Sequence, residues 1–156
     1  MITCTFEDGG KGELRHVVMH CLALRDNKIL LVKRAPGILE AGKWGFPGGF
    51  LSQGENIETG TLRELMEETG YEARIEQLFR INSNPNRTND EGRNNVVFEF
   101  LVTVGEKTGE SDWEQTKVEW RDINELTKEE MAFDHYLTIE ALRKYMAEEF
   151  PLPLIV

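Results

Sequence analysis

Apolar positions along the chain fall into two rhythms, one of short continuous runs and one of helical spacing. From His16, HVVMHCLAL reads as a strand, Asp26-Asn27 as a hairpin turn and KILLVKR as the partner strand. EARIEQLFRI (72–81) is a third strand, and VVFEFLVTV (96–104) a fourth with apolar side chains on both faces over part of its length. The helical rhythm begins beyond residue 52. At about 100° per residue, Leu62, Leu65, Met66 and Thr69 cluster on one side while Glu64, Glu67 and Glu68 occupy the other. Ser52 with Glu55 three residues later has the form of a capping box, and Gly70 is placed to end the helix. DHYLTIEALRKYMAEEF (134–150) repeats the pattern, with Tyr136, Ile139, Leu142, Tyr145 and Met146 as its packing stripe.

Between these elements lie segments of turn composition. APGILEAGKWGFPGG (35–49) holds five glycines and two prolines, the mark of a loop with specified backbone angles. SNPNRTNDEGRNN (83–95) is a polar loop; GEKTGESDWEQTK (105–117) is acidic and leads into a short VEW segment, after which INEL is a turn that starts a short helix. Residues 1–15 are a polar arm or an edge strand, and the closing PLPLIV either lies across the core or serves a contact with a second copy of the chain, a homodimer. The pattern has no repeat and no linker. It predicts a single α/β domain over 1–156, a mixed sheet flanked by two main helices.

Charge and composition narrow the function. The net charge of −10 over 156 residues disfavours an extended nucleic-acid surface, because phosphate backbones are gripped by lysine and arginine. A small anionic substrate stays compatible where bound cations reverse the local charge. No apolar run reaches membrane-spanning length, and MITCTFEDGG lacks the form of a signal peptide, so a cytoplasmic protein is expected. Cys4 and Cys21 are too few for a disulfide scaffold or zinc knuckle, and His16, His20 and His135 are scattered without zinc spacing. Neither a serine elbow nor a P-loop is present.

Glu64, Glu67 and Glu68 project together and repel one another. Hard oxygen ligands in such a group suit Mg²⁺ or Mn²⁺, though a solvated acidic face remains the alternative. The preceding turn, Trp44 to Gly49, brings bare backbone to the helix and can offer a carbonyl ligand. Arg63 projects about 100° from Glu64, towards Glu55, and organises the loop. Gly60 leaves room for a ligand or is merely tolerated.

These residues carry a resemblance. Gly49, Glu55, Arg63, Glu64, Leu65, Glu67, Glu68 and Gly70 match the signature of the Nudix hydrolases, Gly-x5-Glu-x7-Arg-Glu-aliphatic-x-Glu-Glu-x-Gly-aliphatic, over residues 49–71. Tyr71 departs from its last, aliphatic position. Seven fixed identities at set spacing arise by chance at about one in 10⁸ per starting position. The resemblance implies an α/β/α sandwich and cleavage of a nucleoside diphosphate linked to another moiety. It also implies Glu64, Glu67, Glu68 and the Gly48 carbonyl as metal ligands, with Glu55 and Arg63 in support.

The proton acceptor is open between Glu64 and a carboxylate of the acidic loop, Glu114 first and Glu110 or Asp112 as neighbours; some family members supply a base from such a loop. For the substrate, Arg87 and Arg93 are candidates to meet a distal phosphate or ribose, Lys33 and Arg34 to face it from a strand end, and Trp44, Phe46 or Phe79 to stack a base. Pro85, 14 residues beyond Tyr71, resembles the proline placement of the family's ADP-ribose pyrophosphatases. The expected partner is a small nucleotide, ADP-ribose or a nucleotide sugar. A nucleoside triphosphate pyrophosphatase and a noncatalytic nucleotide-sensing module are the rival readings.

Overall fold

The computed structural model describes residues 2–87, 94–111 and 114–156. The chain opens with a hairpin, β1 (Ile2–Thr5) and β2 (Lys11–Leu14), which forms a two-stranded antiparallel sheet of its own. Neither a loose arm nor an edge of the main sheet, it closes through backbone bonds between Phe6 and residues Gly9 and Gly10. β3 (Val17–Arg25) and β4 (Lys28–Arg34) follow as predicted, joined through Asp26 at φ 54°, a left-handed conformation that aspartate tolerates.

The main sheet takes in β5 (Trp44–Gly45), β6 (Tyr71–Asn82), β7 (Val96–Lys107), β8 (Gln115–Asp122) and β9 (Leu154–Ile155). Its order is β5-β4-β3-β7-β6-β9, with β8 also paired to β4. β3 runs parallel to β7 and β6 parallel to β9, and the other pairings are antiparallel, so the sheet is mixed. α1 (Ile57–Thr69) and α2 (His135–Ala147) cover its two faces. Strand alternation divides the core accordingly. Leu22, Ile29, Leu31 and Phe79 pack with Ile139 and Leu142 of α2. Cys21, Ala23, Leu30, Phe100 and Val102 pack with Leu65 of α1. The result is the helix, sheet, helix sandwich that the sequence predicted.

Several local expectations need correction. α1 begins at Ile57 with Asn56 as its cap, its side chain accepting from Thr59 N at 2.8 Å. Gly54, at φ 89°, turns the chain off the helical path, so Ser52 and Glu55 make a tight turn ahead of the helix. β7 extends to Lys107 and β8 starts at Gln115, which shortens the acidic loop and absorbs VEW into a full strand. INEL is a turn without a helix. Met146 is exposed, and His135 and Thr138 take inward places on α2. PLPLIV lies along the sheet as β9, Leu152 and Leu154 against the α2-side core. Among the described residues, no helix is long and apolar enough to cross a membrane.

Candidate active site

The turn before α1 is tied to the helix by one guanidinium. Arg63 donates from Nε and Nη2 to both oxygens of Glu55 (3.0 and 2.8 Å) and from Nη1 to Glu64 (2.9 Å) and Glu67 (3.0 Å). It also reaches the Phe50 carbonyl at 3.3 Å. The side-chain bond from Arg63, then the Ser52 N–H, holds the Glu55 carboxyl down at about 2. Gly70, at φ 73°, ends the helix by donating to the Met66 carbonyl.

Glu68 departs from the simple picture of an outward acidic face. It is buried, accepting from Gly48 N at 2.8 Å on one oxygen and from the Gln115 side chain on the other. The glycines opposite leave no space for side chains. A Cβ on Gly48 would sit 2.0 Å from the Met19 carbonyl, and one on Gly49 would sit 2.4 Å from Glu64 Oε2. Pro47 and Gly49 give their carbonyls to Cys21 N and Met19 N of β3; alternation along this extended run turns the intervening Gly48 carbonyl to the other side. The room at Gly60 is filled by Met19 and Glu55, so that glycine serves packing.

Burial pushes the Glu64 carboxyl above its ordinary value, Arg63 works against it, and the charges of Glu67 and Glu114 push it further up. Burial, and then Glu68 and Glu64, push the Cys21 thiol well up. Among the described residues, no three His, Cys, Asp or Glu side chains form a ready-made cation cage, and Arg63 bridges Glu64 and Glu67. The donor set nonetheless fits a hard divalent ion. Four glutamates, 64, 67, 68 and 114, line one cleft, all with oxygen donors and with more negative charge than Arg63 alone can offset.

That cleft has a volume of about 610 Å³ and a second wall of different chemistry. Arg34, Phe46, Arg87, Phe133 and the two histidines His20 and His135 line it. The His135 ring stacks on Phe46 at 4.9 Å and meets His20 edge-on at 4.5 Å. The Arg34 guanidinium lies 5.1 Å over Phe133. Burial, and then His20, push the His135 imidazole well below its usual value.

Beneath this wall run two buried ion pairs. Asp134 receives Arg87 Nε at 2.9 Å, Arg87 Nη2, and Asn82 Nδ2 at 3.0 Å. Burial pushes the Asp134 carboxyl up, but Arg87, with His20 and Arg80, more than offsets it and leaves it below the usual range. Glu99 accepts from Thr138 at 2.8 Å, with Arg80 at 3.5 Å and His20 at 3.6 Å.

The structure brings Arg34, Phe46, Arg87 and Glu114 to the cleft with the α1 glutamates. It sets Lys33 apart, its ammonium 5.5 Å over the Trp44 ring. Trp44 and Phe79 are core residues and Glu110 is exposed. Arg93 and Asp112 lie outside the described residues. Sequence reasoning missed Phe133, Asp134 and Gln115 and had left the histidines scattered. A residue pair just ahead of a helix carries no spacing signal for a cleft, and only the fold joins His20 to His135.

A NUDIX domain family profile matches residues 14–142. The ADP-ribose pyrophosphatase of Methanocaldococcus jannaschii is 37% identical over 111 residues, covering 71% of this chain and 63% of that protein. A MutT-like protein of Streptomyces ambofaciens is 34% identical over 103 residues, 66% of this chain and 60% of its own length. The chain thus spans less than two thirds of either relative. A solved NUDIX hydrolase from Nitrosomonas europaea superposes with a TM-score of 0.75 at 25% identity, over 89% of this chain and 94% of that one.

Proposed function

Because this chain belongs to the NUDIX family, we propose that it hydrolyses the phosphoanhydride bond of a nucleoside diphosphate derivative, ADP-ribose or a nucleotide sugar, with Mg²⁺ or, in its place, Mn²⁺. The observation that carries the reading is one cleft that gathers four carboxylates, three of them from α1, together with two arginines among aromatic rings. Glu64, Glu67, Glu68 and the Gly48 carbonyl would hold the cations, which supply charge neutralisation at the phosphates and a more acidic bound water. Arg63 keeps the glutamates apart and in register through its bonds to Glu55, Glu64 and Glu67. Glu114, facing the same cleft, is our candidate to take the proton from the attacking water. Phe133, half-buried at the cleft, offers its ring to a base, whereas Phe46 is buried under the His135 ring; Arg34 and Arg87 offer guanidinium groups to the part of the substrate beyond the metal-held phosphates. The similarity to an ADP-ribose pyrophosphatase supports the substrate class.

The test is a panel of ADP-ribose, nucleotide sugars and nucleoside triphosphates with Mg²⁺ and with Mn²⁺, with Glu67→Gln as control. AMP and ribose 5-phosphate from ADP-ribose are expected. Activity confined to triphosphates with release of pyrophosphate would replace this reading with that of a nucleotide-pool pyrophosphatase. Absence of metal-dependent turnover throughout would leave the nucleotide-sensing module.

A further inference from the structure

Asp134 stands at the N-cap position of α2, where an aspartate ordinarily accepts the helix's first N–H groups. Here its side chain makes no capping bond. Its carboxylate is spent instead on Arg87, through both Nε and Nη2, and on Asn82 at the end of β6. The residue before it, Phe133, holds φ 50°, a conformation an aromatic side chain adopts only under constraint. The turn into α2 therefore gives up a cap and accepts a strained residue. What it gains is a guanidinium fixed at the cleft by a pair in which both side chains are 6% exposed.

The segment carrying Arg87 is fixed from another direction as well. Arg15 donates to the carbonyls of Ser83 (2.8 Å), Asn94 (2.7 Å) and Asn95 (3.0 Å), pinning both ends of the loop. Arg87 is thus anchored by loop ends and by its carboxylate, the geometry of a group held ready for an anion or a set of hydroxyls.

We propose that Asp134 is a positioning residue that holds Arg87 in place to bind the substrate's distal group, the phosphate or sugar hydroxyls beyond the phosphoanhydride. The proposal rests on the nucleotide-hydrolase reading for its substrate. Asp134 touches no substrate and acts only through Arg87, so the two side chains must behave as a unit.

Steady-state kinetics with ADP-ribose on the full chain tests this. Asp134→Asn raises KM at least tenfold with kcat within threefold, and in an Arg87→Gln background it adds nothing further. An unchanged KM, a loss confined to kcat, or additive effects of the two substitutions overturns the proposal. Calorimetric Kd values for ADP-ribose in a Glu67→Gln background, where turnover is suppressed, should follow the same pattern. If the wild-type chain hydrolyses nothing but Asp134→Asn weakens Kd only while Arg87 is present, the hydrolase reading falls and the clamp stands; if turnover is normal and Kd indifferent to both substitutions, the reverse holds. No ADP-ribose binding in the Glu67→Gln chain overturns the clamp. Should Asp134→Asn fail to fold, Arg87→Gln decides, and an unchanged KM and Kd sink the idea.

Discussion

Glu64, Glu67 and Glu68 come from little more than one turn of α1, while the facing wall is drawn from Arg34 at the end of β4, Arg87 beyond β6 and Phe133 and His135 at the start of α2. The two walls also differ in how their charge is kept. Glu67 is half exposed and shares Arg63 with Glu55 and Glu64, so water and a shared guanidinium carry much of the load. Arg87, Asp134, Arg80 and Glu99 are almost fully buried and depend on one another. An exposed charge can be removed with little harm to the fold, whereas a buried one leaves its partner stranded. Substitution of the exposed Glu67 should therefore read out in catalysis, and substitutions beneath the arginine wall in stability as well.

The largest effect is expected beneath the arginine wall. Glu99→Gln keeps an acceptor for Thr138 but removes the charge facing Arg80, and breaking such a buried pair costs about 3–5 kcal/mol. The urea midpoint measures it. A loss under about 1 kcal/mol, the range of an exposed pair, would erase the proposed contrast between the walls. Glu67→Gln comes next: kcat should fall by about two to three orders of magnitude, as when one charge-stabilising group is removed from an active site. The same variant should keep its urea midpoint, since Glu67 is exposed. A folded variant with undiminished turnover would remove Glu67 from the site.

A smaller effect separates the two glycines that face α1. At Gly48 an added methyl would strike backbone, the Met19 carbonyl, which cannot give way cheaply. At Gly49 it would strike the tip of the Glu64 side chain, which can swing aside. Gly49→Ala should thus retain its fold and lose about tenfold to a hundredfold in activity, the cost of displacing a reacting group by about 1 Å. Thermal melting alongside kinetics checks both halves. A full loss of folding would mean that the loop has no slack around Glu64.

The same difference between the walls explains what could be read in advance. Glu64, Glu67, Glu68 and Arg63 are neighbours in sequence, so helical spacing alone put them together, and the apolar pattern gave the two helices and the central strands. Burial of Glu68 was not legible, because its partners Gly48 and Gln115 lie 20 and 47 residues away. Asp134 could be seen only as the start of a helix; that it faces Arg87 depends on how β6 and α2 meet. Ser52 misled because capping-box spacing is equally satisfied by a turn that Gly54 breaks before the helix begins. Side chains whose meaning depends on partners distant in sequence show little in their own neighbourhood.

The smallest effect tests, by pH, the Arg63 network that supports the carboxylate wall. Held at about 2 by Arg63 and the Ser52 N–H, the Glu55 carboxyl stays ionised in the folded chain at acidities where an ordinary glutamate, near 4.5, takes up a proton. Its folded pKa lies below its unfolded one, so its contribution is complete above about pH 4.5 and disappears as the pH falls towards about 2. Glu55→Gln should therefore be less stable than the parent near neutrality, with the gap closing steadily across that acidic window. Urea midpoints of both chains, taken at intervals through it, give the comparison. The gap should be modest, because Arg63 retains Glu64 and Glu67 as partners. A gap that stays constant or widens on acidification would mean that Glu55 supports the loop through shape rather than charge, and the support of the carboxylate wall would then share with the arginine wall a dependence on packing.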